Sequence, residues 1–146
     1  MEIRLQQAAF LAGDELDGFT ARAEGAGAIV SFSGIVRDDS GQLSEMVIEH
    51  YPGMTERALE AIAAEAVERW KLIDALVIHR FGPMKPGAQI MMVATAARHR
   101  RAAFEAAEFL MDYLKSRAPF WKQEHGPDGA RWVAAKDEDE AALDRW

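Results

Sequence analysis

The sequence predicts an α+β domain built mainly on antiparallel sheet. Three observations carry that reading. Short alternating apolar segments are joined by turns containing glycine and proline. Two long segments repeat their apolar residues at helical spacing. Strand–helix–strand crossovers of the kind that build parallel sheets are few. The 146 residues suit one domain and can bury a core without covalent staples.

The elements follow in order. EIRLQ (2–6) alternates and reads as a short strand. DELDGFTARAE (14–24) reads as a modest helix with Asp14 as its N-cap. AGAIVSFSGIVRD (26–38) is rich in small and β-branched residues, a strand ending in the polar turn 38–41, and SEMVIEHY (44–51) reads as its partner strand. With Thr55 as cap, residues 55–70 form a helix whose Leu59, Ile62, Ala63, Ala66, Val67 and Trp70 share one stripe. Segments 73–82 and 88–97 read as two strands of a hairpin around the turn 82–87. A long helix runs from about Arg98 to Arg117, where Pro119 stops it by removing a donor and disfavouring helix in the residue before it. FWKQE (120–124) and ARWVAA (130–135) make a last small hairpin. Residues 136–146 form an acidic tail, frayed or loosely helical, outside the single domain 1–135.

Composition excludes several chemistries. The chain has no cysteine, which removes disulfides, thiolate metal sites and cysteine nucleophiles. No apolar run approaches membrane-spanning length, and the N-terminus lacks a basic start followed by an apolar stretch, so the expected location is cytoplasmic. A net charge of −7 argues against bulk binding to nucleic acid. The charge is uneven: residues 136–146 hold five acids and two bases, whereas residues 98–122 hold six Lys/Arg and a histidine against three acids. Such a basic segment is either a solvated face or a place for a small anion.

Three clusters could carry chemistry. Arg37 ends a strand before a polar turn, where a guanidinium either faces water or presents its fork to a phosphate or carboxylate. Arg98, His99, Arg100 and Arg101 open the long helix, where free N–H groups and the dipole attract anions and disfavour cations; a bound anion would offset that conflict. Lys115 lies in the last helical turn, on a stripe with Phe104, Glu108 and Met111, and Lys122 follows Phe120 and Trp121. Two lysines beside apolar rings are either a helix-capping and a strand-surface pair, or a desolvated, mutually repelling pair suited to nucleophilic or proton-transfer work. His50, His79, His99 and His125 lack any ligand-like spacing for zinc. A tail-binding adaptor would use the same basic cluster, and an RNA-binding domain would use Phe120 and Trp121 for stacking, with the net charge against it.

Taken together, GAIVSFSGIVRD (27–38), IEHYPGMTERAL (48–59), IHRFGPMKPG (78–87), HRRAAFEAAEFLMDYLK (99–115), RAPFWKQE (117–124) and GARWVAA (129–135) resemble the large, catalytic subunit of molybdopterin synthase, in family order over almost the whole chain. The resemblance implies an α/β hammerhead-type fold with an additional small antiparallel sheet. It implies a homodimer that binds a small ubiquitin-like sulfur-carrier subunit at each end, giving a heterotetramer. It implies a sulfurtransferase: two sulfurs pass from the carrier's C-terminal Gly-Gly thiocarboxylate to cyclic pyranopterin monophosphate, forming the molybdopterin dithiolene of molybdenum cofactor biosynthesis. By position, Lys115 and Lys122 match the family's essential lysines. Arg37, His99 and Arg100 match anion- and substrate-binding residues. Ile35, Val36, Gln123 and Glu124 match residues lining the same pocket, and Met111 matches its wall. No metal or cofactor is expected.

Overall fold

The computed structural model describes residues 1–134 and 136–146. Its elements are β1 (Glu2–Gln6), α1 (Ala12–Arg22), β2 (Ala28–Ile35), β3 (Glu45–His50), α2 (Met54–Trp70), β4 (Asp74–Arg80), β5 (Gly82–Met84), β6 (Gln89–Ala97), α3 (Arg100–Ser116), β7 (Phe120–Gly126), β8 (Gly129–Val133) and α4 (Asp137–Ala141), followed by a 3-10 turn over Ala142–Arg145. The strands form two sheets, ordered β1-β4-β6-β2 and β5-β3-β7-β8. β1 pairs with β4 in parallel, and the other strand pairs are antiparallel. The α+β class therefore holds.

The first sheet is covered on both faces because its central strands are apolar at nearly every position. Along β4 and β6, side chains alternate between two cores. Ala75, Val77, Met91 and Val93 face the core beneath α2 and α3, while Leu76, Ile78, Met92 and Ala94 face Phe10, Phe19 and Ala23 on the α1 side. α3 lies close to the sheet through Ala103, Ala106 and Ala107, whose small side chains leave room for Phe109 and Leu110 beside them. The buried Thr95 hydroxyl donates to the Ala103 carbonyl at 2.7 Å, which satisfies the one polar group of β6 in that layer.

Several expectations are corrected. β2 and β3 are not partners: β2 pairs with β6, and β3 pairs with β5 and β7 in the other sheet. Alternation fixes which face of a strand is buried but not which strand lies beside it. The segment between them folds on itself instead of turning tightly, with the Asp38 carboxylate accepting from the Gly41 and Leu43 N–H groups and the Ser40 hydroxyl. Asp14 does not cap α1. The helix starts two residues earlier, Leu11 is the N-cap, and the Ala12 N–H donates to the Gln89 side chain. Thr55 lies inside α2, where its hydroxyl donates to the Tyr51 carbonyl; Gly53 holds the cap position at φ 81° and its N–H donates to Glu56 at 2.6 Å. A left-handed φ there suits glycine, which has no Cβ to clash.

The expected hairpin of β4 and β6 is present, but β5 leaves between them to join the second sheet beside β3. The β7–β8 hairpin runs from Lys122 opposite Val133 to Gly126 opposite Gly129. Ala135, the last residue of the expected strand, lies outside the described residues. Beyond it, α4 and the turn that follows lie against α3. The Ser116 hydroxyl donates to the Asp139 carbonyl at 2.7 Å, and Trp146 packs edge-on to Trp70 and Phe109 while its indole N–H donates to Asp112. Among the described residues no helix is long and apolar enough to cross a membrane.

Candidate active site

A groove of about 990 Å³ opens where the two sheets meet the C-terminal end of α3. Each wall has a local cause. β2 shifts register between Gly34 and Ile35, so the strand bends at its end; Val36 turns into the core, and Ile35 and Arg37 turn outward. α3 supplies Met111 and Lys115 from its last two turns before Pro119 ends it. β7 supplies Phe120, Lys122 and Glu124 from one face, as a two-residue repeat requires. β4 supplies His79, and Lys136 and Asp139 close the rim from the C-terminal segment.

Lys122 is half-buried, and its pKa is held below the usual lysine value. Burial is the largest cause and the Lys115 ammonium the next; Asp139 opposes them and Lys136 adds to them. Lys115 is exposed at the groove mouth. Glu124 is engaged by Arg131 at 2.9 Å, and Arg37 pairs with Asp39 at 3.1 Å while remaining largely in solvent. This arrangement offers a deprotonatable amine beside a second ammonium and a guanidinium. It can hold an anion and move a proton next to it.

His79 lies deeper. Its ring stacks on Phe120 with centroids 3.8 Å apart and planes 14° from parallel, and its Nδ1 meets the Arg80 carbonyl at 2.8 Å. Burial above all lowers its pKa to about 4; the Arg80 carbonyl acts the other way, and Lys122 and His50 add to the lowering. The folded pKa thus lies below the ordinary value of 6.5. Between the two values the unfolded chain binds a proton that the folded chain does not. The stability from keeping His79 neutral is complete above about pH 6.5 and is lost as pH falls towards 4, in all about 3 kcal/mol. Urea titrations at pH 7 and 4.5 should show this loss, and His79→Gln should remove most of the difference between them. An equal pH slope in both proteins would contradict the assignment.

The structure brings together six of the expected site residues: Ile35, Arg37, Met111, Lys115, Lys122 and Glu124 all line the groove. Val36 sits in the core at 2% exposure. Gln123 points to the opposite face of β7, where its side chain meets the His125 ring at 2.9 Å. His99 is the extended N-cap of α3 and Arg100 its first residue, both exposed. They lie at the other end of a helix of 17 residues, about 22 Å along its axis from Lys115. His79 and Asp139 belong to the groove, yet sequence reasoning misses both. A signal for His79 exists: it is a titratable side chain that directly follows the apolar, buried run Ala75–Ile78 of β4. Asp139 carries no such mark inside a run of acids.

Known proteins resemble this chain in both sequence and fold. The family described as MoaE protein matches residues 6–117. A molybdopterin synthase catalytic subunit from Cereibacter sphaeroides is 65% identical over 146 residues, covering all of both chains. The solved structure of a molybdopterin biosynthesis MoaE protein from Burkholderia ambifaria superposes with a TM-score of 0.85 at 51% identity, over 99% of this chain and 97% of that one. A chain from a Helicobacter pylori complex of subunits 1 and 2 of molybdopterin-converting factor shares the fold at 20% identity, with a TM-score of 0.78 over 92% and 90% of the two chains.

Proposed function

The chain belongs to the MoaE family of molybdopterin synthase catalytic subunits, and on that premise we propose that its groove transfers two sulfurs to cyclic pyranopterin monophosphate from the thiocarboxylate that ends a small carrier protein. The observation that carries this reading is the convergence of Lys115 and the half-buried Lys122, from different elements, on one groove large enough for a peptide end and a small ring system.

The carrier's Gly-Gly tail enters the groove and sets its thiocarboxylate beside Lys115. The sulfur attacks a substrate carbon. A C–S bond forms, the tail's acyl group stays on the sulfur, and Lys122 handles the proton exchanged as the substrate ring opens. Water then cleaves the acyl–sulfur bond. The tail departs as a carboxylate and the sulfur stays on the product. A second carrier adds its sulfur to the neighbouring carbon, whose oxygen leaves as water, and hydrolysis of that second acyl–sulfur bond completes the dithiolene. The chain supplies no sulfur of its own, in keeping with its lack of cysteine. Lys115 orients the acyl group by its charge, and Arg37 binds substrate anion at the rim.

His99 and Arg100 stand too far from the lysines of their own chain to touch the same substrate. In this reading a second copy supplies them. The free edge of β2, with Phe32 and, on α3, Phe104 exposed, supports such a homodimer. The two-subunit make-up of the Helicobacter pylori neighbour supports a small partner protein, and hence a heterotetramer. The proposed compartment is the cytoplasm, and the proposed cycle uses no metal or cofactor.

The test is reconstitution: this protein, a thiocarboxylated Gly-Gly carrier and cyclic pyranopterin monophosphate, with dithiolene product read by mass spectrometry. Product at two sulfurs per substrate is the expected result. Carrier binding without product would reduce the chain to a tail-binding adaptor.

A further inference from the structure

His79 is a buried polar group that the proposed sulfur transfer does not use. Its placement follows from three contacts. The Arg80 carbonyl can only accept, so the Nδ1 it meets at 2.8 Å must carry the ring's hydrogen. The flat stack on Phe120 fixes the plane of the ring. Phe120 and Lys122 are two residues apart on β7 and therefore project from the same face, which puts the lysine stem next to the histidine. His79 and Lys122 both line the groove. In this tautomer Nε2 carries a bare lone pair; among the described residues no side chain donates to it in this structure, and it is not among the buried, unpartnered polar atoms, so it is open to the groove.

We infer that His79 is a positioning residue for Lys122: the flexible lysine side chain, which shares the groove floor with the ring, swings its amine onto the free Nε2, which accepts a hydrogen bond from it. The inference rests on the role proposed above for Lys122. Its physical logic lies in the neutrality of the acceptor. An ammonium drawn out of water needs acceptors, and a carboxylate at this position would satisfy it only by locking it in the charged form. A neutral imidazole satisfies the amine and still lets the proton leave. The surrounding charges leave room for such a group. Lys115 on α3 and Lys136 beyond β8 repel the Lys122 ammonium, Asp139 on α4 attracts it, and the His50 ring on β3 lies 6.4 Å from the Phe120 ring, centroid to centroid, and disfavours charge on His79. Burial keeps the His79 ring uncharged at neutral pH, so its lone pair is available whenever the enzyme works.

Glutamine and methionine separate this role from packing. They have nearly the same volume, but only the glutamine amide can donate to the Arg80 carbonyl and accept from Lys122. The readout is the titration of Lys122 in full-length protein, followed by NMR of 13Cε-labelled lysine and assigned by the signal lost in Lys122→Arg. His79→Met should lower the Lys122 pKa by about one unit relative to wild type, because the charged form loses an acceptor. His79→Gln should restore most of that shift, and His79→Glu should raise the pKa above wild type. Single-turnover sulfur transfer should follow, with the acid limb of its pH profile displaced in the same directions. Identical Lys122 titrations in His79→Met and His79→Gln would overturn the inference. If the titrations move as stated but Lys122→Ala transfers sulfur normally, the positioning contact stands and the proposed role of Lys122 fails.

Discussion

Replacing either lysine of the groove with alanine should cut single-turnover sulfur transfer by about 100-fold or more, the usual range for losing a proton-transfer or charge-stabilising group. Carrier binding should survive, because tail capture draws on the whole groove. The two variants should differ in kind. Lys122→Arg keeps the charge and the length but cannot deprotonate at working pH, so it should stay inactive. Lys115→Arg keeps what a purely electrostatic orienting group supplies and should recover part of the rate. Rapid-quench assays with preformed carrier complex read both. Full turnover by Lys122→Ala would remove that residue from the mechanism whatever its titration shows. Equal recovery by the two arginine variants would mean that both lysines act only by charge.

A second large effect should appear on mixing two inactive proteins. In the proposed mechanism Arg100→Ala loses a substrate contact and Lys122→Ala the proton carrier, so each variant should be nearly inactive alone. If Arg100 serves the groove of the partner copy, a dimer formed from one chain of each variant contains one intact site. Random exchange puts about half of the chains in mixed dimers, so the mixture should regain about a quarter of wild-type activity. If Arg100 serves the groove of its own chain, the mixed dimer has no intact site and the activity stays at background. The distance of about 22 Å along α3 between Arg100 and Lys115 makes the first outcome the expected one. Exchange under mild denaturant, followed by refolding and the reconstitution assay, would read it.

The parts of the fold that are legible in the sequence are those set by local physics. The stripe Leu59–Ile62–Ala63–Ala66 and the Pro119 stop place α2 and the end of α3 close to where the structure has them. Strand partners are less legible. Nothing in the alternation of SEMVIEHY distinguishes a neighbour at β2 from one at β7, a choice made by the buried faces of Met46 and Ile48 in the assembled core. Helix starts slip by a residue or two because the caps come from elsewhere. Gln89 serves α1, and backbone at Gly53 serves α2. In the site, Lys115 and Lys122 are visible from their aromatic neighbours and from the family resemblance. The inward turn of Val36 is not, because it depends on a register shift after Gly34, and a glycine within a strand marks a bulge site without fixing which way the next residues turn. His79 resembles any strand histidine in the sequence, since the ring that stacks on it, Phe120, comes from a strand distant in the chain.

The pairing scheme also constrains how the chain acquires its shape. Glu2 lies opposite Leu76, and His50 opposite Phe120, so each sheet joins strands separated by 74 and 70 residues. Contacts so distant in sequence form late, after the entropy of closing long loops has been overcome. During synthesis β1 has no parallel partner until β4 has emerged, and β3 waits for β7, near the end of the chain, before the second sheet can extend beyond β5. The groove draws on both sheets and on α3. A nascent or partly folded chain therefore exposes unpaired apolar strands without yet holding a site. Destabilising substitutions in either sheet should accordingly act first on the yield of folded protein, and only afterwards on the chemistry of the molecules that complete the fold.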